Sequence, residues 1–388
     1  MKAVSCKQGK LSVIDKPELV PGKGHVILDV LRCGICGSDL HMRTHCNHYT
    51  KTLQQAGVDG SMTFEQDVVM GHEFCGEVVD FGSGCHKKIK PGTRVCAVPL
   101  LKRGSSFDMI GFSEKSSGAY AERILVQESL MMPIPNGLSN DIAALTEPMA
   151  VGLHAVNRSE IKKNELAIVV GCGPVGLAII SCLKAMGVRH VVACDFSEAR
   201  RKLALQCGAD TIIDPSIESP YKNWESFKFI NRLDSAFDLL LKAKETMDRL
   251  PLPWWHLWNI ADKLGATAPK RPVIFECVGV SGLLQNIITD APLFSRIIVV
   301  GVCMEQDKIQ PALAINKEID LRFVLGYSPL EYRNTLHLLA EGKLNAAPLI
   351  TGTVGLYGVE SAFSALGDPD KHAKILIDPN STKTEPTI

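Results

Sequence analysis

The sequence predicts an α/β protein in which a doubly wound parallel sheet is joined to a smaller β-rich domain. Three observations carry this. The stretch from Asn164 to Phe196 reads as strand, tight glycine turn, apolar helix and second strand. After Asp195, helical and strand patterns go on alternating, as in an open sheet with helices on both faces. Residues 1 to about 100 instead read as short strands cut by turns at Pro21-Gly22, Gly82-Ser83-Gly84 and Pro91-Gly92. A chain of 388 residues is long enough to bury two cores.

The glycine turn is Gly171-Cys172-Gly173-Pro174-Val175-Gly176. Gly171 lets the chain reverse, Gly173 leaves room for a pyrophosphate, and Gly176 lets the helix pack close on its strand. The helix N-terminus faces the phosphate charge. Asp195 follows Gly176 by 19 residues, the spacing at which an acid meets the adenosine ribose hydroxyls. A bare glycine pattern occurs in many ordinary turns. With strand, helix and acid all present, it predicts a dinucleotide site of the Rossmann type. Asp195 would repel a 2′-phosphate, so NAD is expected over NADP, with Arg200 and Arg201 nearby as the counterweight. Further strands are read at Thr211 to Asp214, Val273 to Cys277, Arg296 to Gly301 and Leu321 to Leu325, with a helix over Glu198 to Cys207. Gly279 and Gly301 fall at strand C-terminal ends, the edge where ligands lie, and Val278 and Gly301 are read as cofactor contacts.

Forty-two basic and 42 acidic residues give zero net charge, which offers no electrostatic case for nucleic acid or an anionic membrane. The run Leu166 to Leu183 is uncharged but holds the glycine turn and Pro174, so it reads as buried strand, turn and helix rather than a membrane span. No signal-peptide pattern opens the chain, and the 13 cysteines are odd in number and scattered. Reduced thiols in a cytoplasmic protein are expected, some of them metal ligands.

Two clusters in the β-rich part carry chemistry: Cys33-Gly34-Ile35-Cys36-Gly37-Ser38-Asp39-Leu40-His41 and Gly71-His72-Glu73-Phe74. Thiolate, imidazole and carboxylate form a set that zinc prefers, and catalytic zinc keeps three protein ligands and an open position. The residues alone equally allow two core thiols and a buried histidine, and a Cys-x-x-Cys pair can also be a redox motif.

With Glu147-Pro148-Met149-Ala150-Val151-Gly152 and the glycine turn following in order, the chain resembles the zinc-containing medium-chain dehydrogenase/reductase family along nearly its whole length. The resemblance implies a GroES-like catalytic domain over residues 1–148, completed by 326–388, around a Rossmann domain over 149–325. It implies zinc ligands at Cys36 and His72, with Glu147 at the third-ligand position. Glu73 lies behind the ligands in some members and binds zinc in others. Asp39 matches an acid that orients the ligand histidine, and Ser38 and His41 match a proton relay. Many members hold a second, structural zinc on four close cysteines. Here no cysteine lies between Cys96 and Cys172, so one zinc per chain is expected, with a polar loop over Leu101 to Gly118 instead. Lys374 sits near a basic pyrophosphate contact of the family, or is a solvated surface lysine.

The implied reaction moves a hydride between an alcohol, secondary by the resemblance to the polyol branch, and NAD. Zinc acts as Lewis acid, and the proton leaves through Ser38, a ribose hydroxyl and His41. A small-molecule alcohol or carbonyl is the expected partner, with no nucleic acid, no stable membrane anchor, and a dimer or tetramer as in the family. The rivals are a zinc-free reductase of the family, an enzyme that keeps NAD bound as a dismutase or epimerase, and a non-catalytic protein.

Two insertions depart from the family pattern. Between His41 and Gly71 a covering loop is expected, in which His45, Cys46 and His48 offer a minor possibility of a second metal. From about Pro215 to Lys270 a longer excursion carries all four tryptophans, Trp224, Trp254, Trp255 and Trp258. Phe227, Ile230, Leu233, Phe237, Leu240 and Leu241 recur at helical spacing, which predicts a helix to about Arg249, broken by Pro251 and Pro253. It is read first as packing on its own domain or a partner subunit, then as a lid, and last as a membrane-surface contact.

Overall fold

The computed structural model describes residues 1–222 and 225–387. Its centre is a six-stranded parallel sheet, ordered Thr211–Ile213, His190–Cys194, Leu166–Val170, Val273–Glu276, Arg296–Val299 and Asp320–Phe323. The order reverses between Leu166–Val170 and Val273–Glu276, which defines the crevice where ligands bind in such sheets. Leu166–Val170 is almost wholly buried, as a strand covered on both faces must be. The helix Pro174–Ala185 starts with Pro174 at its first turn, where the missing N–H costs nothing. Gly171 takes φ +93°, a conformation other residues rarely adopt. A Cβ on Gly176 would collide with the Gly171 carbonyl, so helix and strand approach as closely as the motif requires.

A second sheet is built from Met131–Pro133, Arg94–Ala97, Glu73–Phe81, His25–Gly34, Lys374–Ile377 and Ile350–Val354, with Arg123–Gln127 also paired to His25–Gly34. Lys374–Ile377 runs antiparallel to His25–Gly34, in the register Leu376↔Gly34 and Ile377↔Cys33. That pairing carries the C-terminal chain back to the strands that precede the two motif clusters. Helices Asn140–Ala144 and Thr146–Ser159 follow, the second packing on Pro174–Ala185.

Several local expectations change. The covering loop after His41 is largely helix: Gly37–Gln55 is one helix with a kink at His45, whose φ is −125° and ψ 19°. The polar loop over Leu101 to Gly118 contains a β-hairpin, Leu100–Arg103 paired with Ser106–Met109. In the long insertion the helix starts at Leu233, not at Phe227. Phe227 instead packs edge-on against His190 and stacks with Phe229, which ties the base of the insertion to the sheet's outer side. Beyond it, Leu233–Asp248 and Trp254–Lys263 form a helical pair, so the aromatic cluster is itself helical. Neither helix has a fully buried residue, so this pair does not pack into its own domain. Trp224 lies outside the described residues. Among the described residues no helix is long and apolar enough to cross a membrane.

Candidate active site

The site forms where the strand His25–Gly34 ends and the helix Gly37–Gln55 begins. Cys36 is the helix N-cap, in extended backbone at φ −89° and ψ 154°, so its thiol stands at the junction. Asp39, one turn in, folds back so that its Oδ2 accepts the Cys36 backbone N–H at 2.9 Å and the Tyr120 hydroxyl at 2.7 Å. Its Oδ1 lies 3.4 Å from His72 Nδ1, and neither atom has another partner. Asp39 is wholly buried and His72 nearly so. With Nδ1 turned to the carboxylate, Nε2 is the ring nitrogen left to act, the arrangement of a carboxylate-oriented metal histidine.

One atom each from Cys36, His72 and Glu73 lie within 4.8 Å of one another, and this is the one such cluster among the described residues. The electrostatics fit a cation there. Burial works against a charged imidazole, yet the Asp39 carboxylate and Cys36 outweigh it and hold the His72 pKa well above the usual range. Burial likewise raises the Glu147 carboxyl to about 7, with His72 pulling it down and Glu73 pushing it up. A half-buried thiol, a buried imidazole and a buried carboxylate gathered this closely are a donor set that suits a metal ion.

Glu147 is not in the 4.8 Å set. It stands at the start of Thr146–Ser159, near enough for its charge to reach His72 and Glu73, and bonds the Tyr327 hydroxyl. Tyr327 is a site residue that the sequence reading missed, and no local motif announces it. Lys374 corrects an expectation: it is neither a surface lysine nor placed for a pyrophosphate. It is fully buried, and its Nζ donates to Glu73 Oε1 and Oε2 at 2.7 and 2.6 Å and to the Ile35 carbonyl at 2.9 Å. Burial pushes its pKa down, but Glu73 more than restores it. Gly34 completes this corner, since a Cβ there would strike Glu73 Oε2. Ser38 and His41 follow Cys36 on the same helix, three residues apart, so they share a face. Partial burial and the neighbouring His45 lower the His41 pKa. The possible second metal finds no support: Cys46 is buried in the hydrophobic core, whereas His45 and His48 are exposed.

A cavity of about 650 Å³, within the usual size range of small-molecule and cofactor sites, opens at the sheet's switch point. Gly171, Gly173, Pro174, Asp195, Arg200 and Val278 line it. Val175 and Gly176 do not: Val175 packs on the core behind, and Gly176 serves the strand contact. Gly301 borders an adjoining cleft of 420 Å³ with Gly279 and Val280. Asp195 Oδ2 accepts the Cys172 N–H at 2.7 Å and Oδ1 the Ser197 N–H at 2.8 Å, which locks the carboxylate at the turn. Arg200 reaches over the same turn, its Nη1 4.0 Å from where a Gly173 Cβ would stand, and its buried Nε is unpaired. Gly37, next to Cys36, is also a wall of this cavity, so the donor cluster and the nucleotide site adjoin.

Comparison with known proteins agrees with this geometry. Residues 22–136 match the alcohol dehydrogenase GroES-like domain, and residues 174–249 the zinc-binding dehydrogenase domain. The chain is 30% identical over 386 residues to (R,R)-butanediol dehydrogenase of Bacillus subtilis (strain 168), covering 96% of this chain and 97% of that one. It is 27% identical over 368 residues to sorbitol dehydrogenase of Bos taurus, covering 92% and 89%. The crystal structure of 2R,3R-butanediol dehydrogenase from Bacillus subtilis superimposes with a TM-score of 0.73 at 28% identity, covering 98% and 99%. A GroES-like domain whose donor cluster opens on a Rossmann cleft defines an alcohol dehydrogenase that uses zinc and a nicotinamide cofactor. The chain belongs to the zinc-containing medium-chain dehydrogenase/reductase family.

Proposed function

We propose that the protein oxidises a secondary alcohol, of the diol or polyol kind, to a ketone with NAD, using one zinc per chain. The observation that carries this is the adjacency of the Cys36, His72 and Glu73 cluster to the cofactor cavity through Gly37. The butanediol and sorbitol dehydrogenases to which the chain is similar support the substrate class. Cys36, His72 and Glu73 would hold the zinc, which when bound supplies Lewis-acid polarisation of the alcohol oxygen. Asp39 fixes the His72 ring, and Tyr120 in turn fixes Asp39. Lys374 neutralises Glu73 and holds its carboxylate in place. Ser38 takes the alcohol proton and His41, whose lowered pKa keeps it neutral near pH 7, passes it to solvent. The absence of cysteine between Cys96 and Cys172 supports a single zinc.

The Asp195 carboxylate favours NAD, because its charge opposes a 2′-phosphate and Asp290 adds to the negative wall of the same cavity. Arg200 lies over Gly173, so its charge serves the phosphates at the turn. The test is metal and nucleotide content of the purified protein, followed by oxidation of 2,3-butanediol, sorbitol and primary alcohols with NAD or NADP. One zinc, faster secondary-alcohol turnover and a preference for NAD are expected, with zinc and turnover both lost in Cys36→Ala. Zinc-free protein refutes the metal assignment. Stoichiometric NAD released only on denaturation, without net alcohol oxidation, refutes the dehydrogenase cycle.

A further inference from the structure

The helical pair at 233–263 presents an apolar face that its own domain leaves open. In Leu233–Asp248, Ala236, Ala243 and Met247 are half-buried, as are Leu257, Trp258 and Ala261 of the second helix, which marks the seam between the two. A separate stripe lies outside that seam. Leu233, Phe237, Leu240 and Leu241, spaced i, i+4, i+7 and i+8, are 40%, 62%, 53% and 57% exposed. This is the pattern of a helix that covers a core, with nothing on it. The stripe continues onto the second helix. Lys244, one turn beyond Leu240, lies over the Trp254 ring at 5.7 Å, and Trp255 meets Trp254 edge-on at 6.1 Å. Trp254 and Trp255 are 36% and 51% exposed.

We infer that this face joins two copies of the chain, helical pair against helical pair across a two-fold axis. Area is the first argument. These six side chains are about half exposed, so each offers roughly 100 Å². That is about 600 Å² per chain and about 1,200 Å² for two, the lower bound of a stable interface before any rim is counted. Charge is the second. Within the first helix Lys242 pairs with Asp238 and Lys244 with Asp248, each at 2.6 Å, and Asp234 and Glu245 add further acids. That leaves no cationic rim of the kind a lipid surface would select around the aromatic residues, and none that would repel a second copy of the helix.

The test uses the full-length, zinc-loaded protein. Light scattering after size exclusion gives the mass per particle of wild type and of Phe237→Ser/Leu240→Ser/Leu241→Ser. All three positions are exposed and far from the active-site motifs, so zinc content and alcohol oxidation report that the variant folds. Cross-linking with a lysine-reactive reagent, on a mixture of light and heavy-isotope chains, looks for Lys242 joined to Lys242, a product that only two copies can form. The expected result is a mass halved in the variant and a Lys242–Lys242 link in the wild type that the variant loses. An unchanged mass without that link overturns the inference. So does a wild type that is monomeric, or one that floats with phosphatidylcholine vesicles through these side chains.

Discussion

Replacing Lys374 by methionine keeps the aliphatic stem and removes only the buried charge. Lys374 and Glu73 are both 0% exposed, and the amine makes three hydrogen bonds, two to Glu73 and one to Ile35. The change leaves a carboxylate and a carbonyl in the interior without a donor. Breaking a buried pair in this way costs about 3–5 kcal/mol, and full burial places this pair toward the upper part of that range. Zinc separates this prediction from an ordinary core defect. If Glu73 faces the metal, the ion compensates part of the lost charge, and the loss falls to about 2 kcal/mol in the zinc-loaded protein. The difference of about 2 kcal/mol corresponds to roughly 30-fold tighter zinc binding by the folded variant. The assay is urea denaturation with and without a chelator, followed by far-ultraviolet circular dichroism. Tryptophan fluorescence would report only on the insertion, where all four tryptophans lie. Lys374→Met/Glu73→Gln should regain most of the loss, since neither charge remains. Equal losses with and without zinc would refute the placement of Glu73 at the metal, and a loss below about 1 kcal/mol would refute the buried pair itself.

Two further outcomes follow from the geometry. Asp195→Ala should weaken NAD binding about 10- to 100-fold, because a charged acceptor for the ribose hydroxyls is lost. NADP should be weakened less, and an unchanged ratio of the two dissociation constants would count against the ribose contact. Glu331 closes a capping box with Ser328 and bonds His154 at 3.0 Å and Asn157 at 2.9 Å. Partial burial works against the charged form, but the Ser328 N–H and these side chains outweigh it and lower the pKa from 4.5 to about 2. A depressed carboxylate pKa stabilises the fold above the unfolded value and ceases to do so as pH falls through the folded one. Glu331→Gln should therefore cost about 1 kcal/mol near neutrality, allowing for solvent screening. The gap to wild type should close between pH 4.5 and about 2, as read from denaturation midpoints; a gap independent of pH would show that the charge contributes nothing.

How far the sequence could be read depended on where each signal lies along the chain. Gly171, Gly173 and Asp195 were legible because a turn and its acid belong to one strand-helix-strand unit, and the constraint is local. Cys36, Asp39 and His72 were legible as members of two short motifs. Lys374 was not, because its partner Glu73 lies 301 residues away and a single lysine has no pattern of its own. Tyr327 escaped for the same reason. Apolar periodicity found the helix at 233–248 but began it too early, since Phe227 and Ile230 keep helical spacing while serving the base of the insertion. There the Ile230 carbonyl accepts the Leu293 N–H. Spacing reports which residues want burial; tertiary contact decides what buries them.

The long excursion between Thr211–Ile213 and Val273–Glu276 also bears on how the sheet assembles. Val273 pairs with Ala167, so the switch point closes only when segments roughly a hundred residues apart have met, the kind of non-local contact that slows folding. The added closure entropy is nonetheless small. Lengthening a crossover from about 20 residues to the 56 of residues 215–270 costs only about 1 kcal/mol, because the cost grows with the logarithm of length. Much of that length is helix that forms locally, which shortens the effective search further. Pro215, Ser219 and Tyr221, at the start of the excursion, line the nucleotide cavity. A deletion confined to residues 233–263, which keeps Tyr221 at the cavity and Phe227, Phe229 and Ile230 on the sheet, should therefore leave a nucleotide fold that refolds faster than the full chain.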